Sequence, residues 1–70
     1  MNERVANSVR EHRKSAGLTQ EDLAAAMRVS RQTIISIESG KYIPSLPLAL
    51  KLARFFKCPT DGMFTLEKGE

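Results

Sequence analysis

Between Gln20 and Gly40 the chain reads QEDLAAAMRVSRQTIISIESG, two helix-length segments with only Met27-Arg28-Val29 between them. A connection of roughly three residues cannot carry the chain away from the helix it has just left, so the two helices must be neighbours. Thr19 stands where a hydroxyl can cap the first helix, Gln20 to about Met27. Glu21 and Asp22 follow in its first turn, where the helix dipole favours negative charge. Ser30 caps the second, Arg31 to about Ser39, and Gly40 is placed to end it in a left-handed conformation. Any fold for this chain must accommodate that hairpin.

The two helices differ in kind. In the first, Leu23, Ala24 and Met27 recur at the spacing of one helical face, and Ala24 leaves room for close approach of another backbone. In the second, Ile34 and Ile37 point one way, while Arg31, Gln32, Ile35, Ser36 and Ser39 share another face. A guanidinium, an amide and hydroxyls are groups able to read base edges in a DNA major groove.

Seventy residues suffice for one small domain, and 41% hydrophobic with 27% charged residues is ordinary for a soluble one. No apolar run approaches the roughly 20 residues of a membrane span, and no secretory segment opens the chain. The expected place is therefore the cytoplasm. Cys58 has no second cysteine to pair with, and it reads most simply as a small apolar residue behind the fourth helix. With one cysteine and one distant histidine, no metal site is expected. Charge is unevenly spread. Residues 1–27 are neutral, whereas 28–60 set Arg28, Arg31, Lys41, Lys51, Arg54 and Lys57 against Glu38 alone. Solvated helix faces account for Lys51 and Arg54 as well as a polyanion partner does, but the excess begins at the turn and second helix of the hairpin.

Ser8-x-x-Glu11 has the form of a capping box, with Asn7 as a second candidate cap, so helix one is placed from about Ser8 to Ser15. Val9, His12, Arg13 and Ala16 would share its inward side. His12 is expected half-buried at a seam or hydrogen-bonded. Arg13 and Glu38 both fall on core-facing sides, and isolated buried charges are costly, so the two are expected to satisfy each other. After a loop braked by Pro44, Ser45 caps a fourth helix with Pro47 in its first turn. Its apolar stripe reads as Leu46, Ala49, Leu50, Ala53 and Phe56, with Leu48, Leu52 and Phe55 beside it. A helix apolar on more than one side either lies central in the core or touches a second subunit. Thr60–Phe64 is a short fifth helix, and Phe64–Glu67 alternates as a strand does. Glu3–Ala6 either pairs with that strand or frays.

Several of these segments together resemble a known family, the phage-repressor (Cro and lambda-repressor type) helix-turn-helix, also called the xenobiotic-response-element family. The carriers are GLTQEDLA at 17–24, VSRQTI at 29–34, IESGKYIPS at 37–45, LALKLA at 48–53 and the closing GMF, so the resemblance covers roughly Val9 to Phe64. It implies an all-α, five-helix lambda-repressor-like domain over residues 1–70, with its helix-turn-helix core at 20–40. The strand-like ends resemble short stand-alone members that add a two-stranded sheet joining the termini.

For function, the resemblance implies a transcriptional regulator, most simply a repressor, that binds a palindromic double-stranded DNA operator as a homodimer. The dimer would form through helix four, helix five and the C-terminal tail. Arg31, Gln32 and Ser36 fall where family members contact bases. Gln20, Arg28, Ser30, Ser39, Lys41 and Tyr42 fall among the positions expected to meet phosphates, and Gln20 also braces the recognition helix. Arg13 and Glu38 match a family ion pair. Three departures stand out. Arg28 occupies a turn position usually held by glycine, His12 replaces the usual leucine, and Ile35 replaces a polar residue on the exposed face. Ile35 either touches a thymine methyl or packs on a neighbour. No cofactor, metal or small-molecule effector is expected, and no nucleophile–base pair suggests an enzyme. The rival reading is an antitoxin-like or accessory protein-interaction module with secondary DNA binding, marked by an apolar patch larger than a dimer would cover.

Overall fold

Three of the helices begin at a hydroxyl side chain that accepts a backbone amide, and that capping chemistry sets where the chain changes direction. The computed structural model describes residues 4–67. In chain order these form β1 (Arg4–Asn7), α1 (Val9–Ser15), α2 (Gln20–Met27), α3 (Arg31–Glu38), α4 (Leu46–Phe55), α5 (Thr60–Met63) and β2 (Phe64–Glu67). Thr19 opens α2 with a full capping box: its hydroxyl accepts from the Asp22 amide at 2.9 Å, and its own amide donates to Asp22 Oδ2 at 2.9 Å. The Thr19 amide, and then its hydroxyl, hold the Asp22 carboxyl below its usual pKa. Ser30 accepts from Thr33 at 3.1 Å and Ser45 from Leu48 at 3.4 Å.

The box expected at Ser8 and Glu11 does not form. Ser8 makes no side-chain cap bond, and its hydroxyl lies 3.2 Å from His12 Nδ1. Asn7 serves instead. Its Oδ1 accepts from the Val9 amide at 3.1 Å, while its Nδ2 donates to the Ile37 carbonyl at 3.0 Å. That second bond explains the choice, because it ties the start of α1 to the end of α3, which a serine hydroxyl is too short to do.

Four helices end in the same way, with a left-handed residue after which the next amide bonds back five positions. The left-handed residues are Gly17, Arg28, Gly40 and Lys57, with φ of 72°, 61°, 80° and 57°. The closing bonds are Leu18 to Arg13 (3.1 Å), Val29 to Ala24 (3.0 Å), Lys41 to Ser36 (2.9 Å) and Cys58 to Ala53 (2.9 Å). Glycine takes this conformation freely, whereas Arg28 and Lys57 hold it against a Cβ clash of about 1–2 kcal/mol.

The core draws on all five helices: Val9, Leu23, Ile34, Ile37, Leu52 and Met63 are each fully or almost fully buried. Cys58 packs against this cluster, as a small apolar residue would. Two details differ from the pattern read in the sequence. Ala16 is exposed, because helix α1 stops at Ser15 and the chain turns outward. On α4 the buried residues are Leu48, Ala49, Leu52 and Ala53, leaving Leu46 and Leu50 in solvent. Ala49 and Ala53 of the expected stripe face inward, but the buried side turns toward Leu48 and Leu52, because apolar residues on several sides leave the facing of the helix to its neighbours. β1 and β2 pair antiparallel, with Arg4 opposite Glu67 and Asn7 opposite Phe64. Glu3, expected in this pairing, lies outside the described residues, as do the other ends of the 1–70 span.

Candidate nucleic-acid interface

Behind α3 sits one buried charge pair. Arg13 Nε donates to Glu38 Oε2 at 2.6 Å and Nη2 to Oε1 at 3.1 Å, a bidentate arrangement. Arg13 Nη1 donates to the Leu18 carbonyl at 2.9 Å, and Gln20 Nε2 donates to Glu38 Oε1 at 3.2 Å. Both charged side chains are at least nine-tenths covered. Burial alone would push the Glu38 carboxyl up. The hydrogen bonds from Arg13 and Gln20, with the fields of Arg13 and Arg10, outweigh it and hold the carboxyl below its ordinary value. The Arg13 guanidinium is held above its ordinary value, chiefly by the bond to Glu38. Four segments therefore meet at one ion pair: α1, the loop after it, the start of α2 and the end of α3.

The solvent-facing side of α3 is open. Arg31, Gln32 and Ser39 are exposed, while Ile35 and Ser36 are half-buried. Gln32 Nε2 lies 3.3 Å from Ser36 Oγ, a long bond that a better partner can displace. Ser39 turns its hydroxyl back to the Ser36 carbonyl at 3.1 Å, and the Lys41 and Tyr42 amides reach the same carbonyl at 2.9 and 3.2 Å. This knot fixes the loop that carries the exposed Lys41 and Tyr42 side chains beside the end of α3. Ser30 is already engaged, capping Thr33 and bonding its hydroxyl at 2.9 Å. Arg28 projects from the left-handed turn just before α3.

Two concave regions flank α3. One is lined by Arg10, Gln20, Arg31, Ile35 and Ser39 among others, so Ile35 forms part of its wall. The other is lined by Arg28, Thr33, Tyr42, Ser45 and Lys51 among others. Arg10 was not singled out in the sequence, because it lies in a stretch whose charges cancel. Its signal was its place three residues before Arg13, on the same side of α1. His12 is half-buried as expected. Its Nδ1 is 2.8 Å from the Ser8 carbonyl, where it must donate, and its ring lies 5.6 Å from that of Phe56. Among the described residues no group of three or more His, Cys, Asp or Glu is placed to hold a metal, and no helix is long and apolar enough to cross a membrane.

A short helix presented outward, locked from behind and flanked by cations defines a class. The helix-turn-helix family model matches residues 9–63. The chain is 52% identical over 66 residues to an uncharacterized HTH-type transcriptional regulator of Methanocaldococcus jannaschii, spanning 94% of this chain and 100% of that protein. To YgzD of Bacillus subtilis, likewise an uncharacterized HTH-type transcriptional regulator, it is 44% identical over 64 residues, 91% of this chain and 97% of that one. The crystal structure of the transcriptional regulator VanUg shares the fold with a TM-score of 0.75 at 16% identity, over 99% of this chain and 92% of that one. The chain belongs to the Cro/C1-type helix-turn-helix family of transcriptional regulators.

Proposed function

We propose that this chain is a sequence-specific regulator, a repressor, that binds a palindromic double-stranded DNA operator as a homodimer with α3 in the major groove. The observation that carries this is the outward face of α3, where Arg31 and Gln32 stand free in solvent on a helix whose reverse is immobilised. Arg31 reads guanine through two parallel hydrogen bonds, and Gln32 reads adenine or guanine. Ser36 supplies a third polar contact, and Ile35 meets an apolar base edge or the wall it already lines. Gln20, Arg28, Ser39, Lys41 and Tyr42 set the register on the phosphates, and Ser30 joins them through whatever capacity its capping role leaves.

Dimerisation follows from the poor affinity of one small module. Ile43, Leu46, Leu50 and Leu66 are large apolar side chains left in solvent. A second copy meeting α4, α5 and the C-terminal strand would cover them and place two α3 helices about 34–36 Å apart, one turn of DNA. Residues 1–70 act here as one domain working in the cytoplasm on nucleoid DNA. Selection of binding sites from random duplexes by the purified protein tests the reading. It should return two inverted half-sites about one turn apart; an unchanged random pool would overturn it. The exposed apolar residues also favour the rival reading, a protein-interaction module. Scattering with and without the selected duplex separates the two, since the operator model requires two copies on one duplex and a chain that stays unbound beside it contradicts that model.

A further inference from the structure

The two concave regions beside α3 lie on opposite flanks of it, and each holds a further cation, Arg10 in one and Lys51 in the other. At 100° per residue, Arg31 and Ile35 point about 20° to either side of one direction, and Thr33 points close to the reverse of it. Of the base-reading positions, Gln32 and Ser36 fall between the two, and Arg31 lies on the trough side of them. The flank of Arg31 and Ile35 opens into the trough that Arg10 and Gln20 also line. The flank of Thr33 opens into the cleft lined by Arg28, Tyr42 and Lys51. A helix seated in a major groove has one sugar-phosphate strand along each flank, so each concavity faces a different strand.

We infer that Arg10 and Lys51 are phosphate-contacting residues, one for each DNA strand, which together hold α3 in the groove from both sides. The inference rests on the DNA-binding reading above. Arg10 is exposed, and its field reaches Glu38 without its displacing Arg13 from the carboxylate. Its side chain lines the trough and takes no part in the Arg13–Glu38 pair. Lys51 crosses from α4 and places Nζ 3.5 Å from the Met27 carbonyl at the end of α2. That bond is at the outer limit of length, so the ammonium is positioned beside Arg28 but weakly committed. The end of α2 also carries partial negative charge, which steadies a lysine there until a phosphate arrives. Arg54 and Lys57 belong to the same basic segment of the sequence but line neither concavity.

Salt dependence of binding tests this, because each phosphate contact adds about 0.9 to the slope of log affinity against log salt. The probe is the duplex selected above, or mixed-sequence duplex, since phosphate contacts do not depend on sequence. Arg10→Gln and Lys51→Met keep the side-chain stems and remove the charge. Each should lower the slope by about one per bound protomer, about two for the dimer, weaken binding about fivefold to tenfold per protomer near 0.1 M salt, and leave base preference unchanged. The double variant should lose about twice the slope that either loses alone. Arg54→Gln removes an equal charge outside the flanks and should leave the slope as it is. Neutral methylphosphonates placed in both half-sites on the strand segment along one flank of α3 should abolish the effect of Arg10→Gln alone, and on the segment along the other flank that of Lys51→Met alone. Equal slope changes for all three variants would mean a general charge effect and overturn the inference, as would unchanged slopes for Arg10→Gln and Lys51→Met. If the unaltered protein binds no duplex at all, the DNA reading falls and this inference with it. Thermal unfolding of each variant distinguishes a lost contact from a lost fold.

Discussion

On the core side of α3, both Glu38 oxygens are occupied, by Arg13 and by Arg13 with Gln20, and Ile34 and Ile37 are fully buried. On the solvent side, Arg31 enters no ion pair among the described residues, and Gln32 makes one long bond to its own helix. One helix therefore has a satisfied side and an unsatisfied side. Polar groups that are already paired lose little by staying where they are, so the inner side fixes position. Polar groups in water can exchange that water for a partner, so the outer side is free to recognise one. A recognition helix needs both, since an exposed face on a mobile helix would lose its ordering entropy again at every binding event.

The largest effect should come from breaking the inner side. Arg13→Ala leaves Glu38 buried without its cation and should lower stability by about 3 kcal/mol, read by denaturant unfolding. An unchanged midpoint would falsify the clamp. The same pair sets a pH dependence. The folded Glu38 carboxyl lies below the ordinary 4.5, so its stabilisation is complete above that value and is lost as pH falls through the folded one. In Arg13→Ala, burial acts with far less opposition and the carboxyl should rise, so the variant should lose less stability than the native protein between about pH 5 and pH 3. Parallel curves for the two proteins would contradict this.

Next in size is the outer side. Gln32→Ala should weaken operator binding by about 1–3 kcal/mol while leaving nonspecific binding and thermal stability in place. If sequence preference survived the change, Gln32 would not be a reading residue. The smallest effect separates the two left-handed cations. Arg28→Gly and Lys57→Gly should each stabilise the protein by about 0.5–1 kcal/mol, through relief of the same backbone clash. Only Arg28→Gly should also weaken DNA binding, because Arg28 lies beside α3 and Lys57 at the far end of α4. Equal binding by both variants would remove Arg28 from the interface.

Much of this was readable in the chain because it is written in local chemistry. Thr19, Ser30 and Ser45 are caps wherever they stand before a helix, and the three-residue turn admits few geometries. The Arg13–Glu38 pair was legible because two charges on core-facing sides have few other ways to be satisfied. The start of α1 was not. Ser8 and Glu11 have the spacing of a capping box, but Asn7 gains a second bond to Ile37 that no local pattern reveals. The facing of α4 was equally hidden. Leu46 and Leu50 are as apolar as Leu48 and Leu52, and only packing against α2 and α5 chose between them. Arg10 lies in a stretch whose charges cancel, and Lys51 reads equally well as a solvated helix residue, because net charge along the sequence says nothing of which cations gather around a helix.

The sequence by itself determined the helices, the tight turn between α2 and α3, the outward polar face and the family. These depend on contacts within a few residues, or on a periodicity that a single helix carries alone. Tertiary structure decided which side of α4 is core, which residue starts α1, and which cations flank α3. Each of those choices compares surfaces from separate elements, and their relative free energy does not exist until the chain has brought them together.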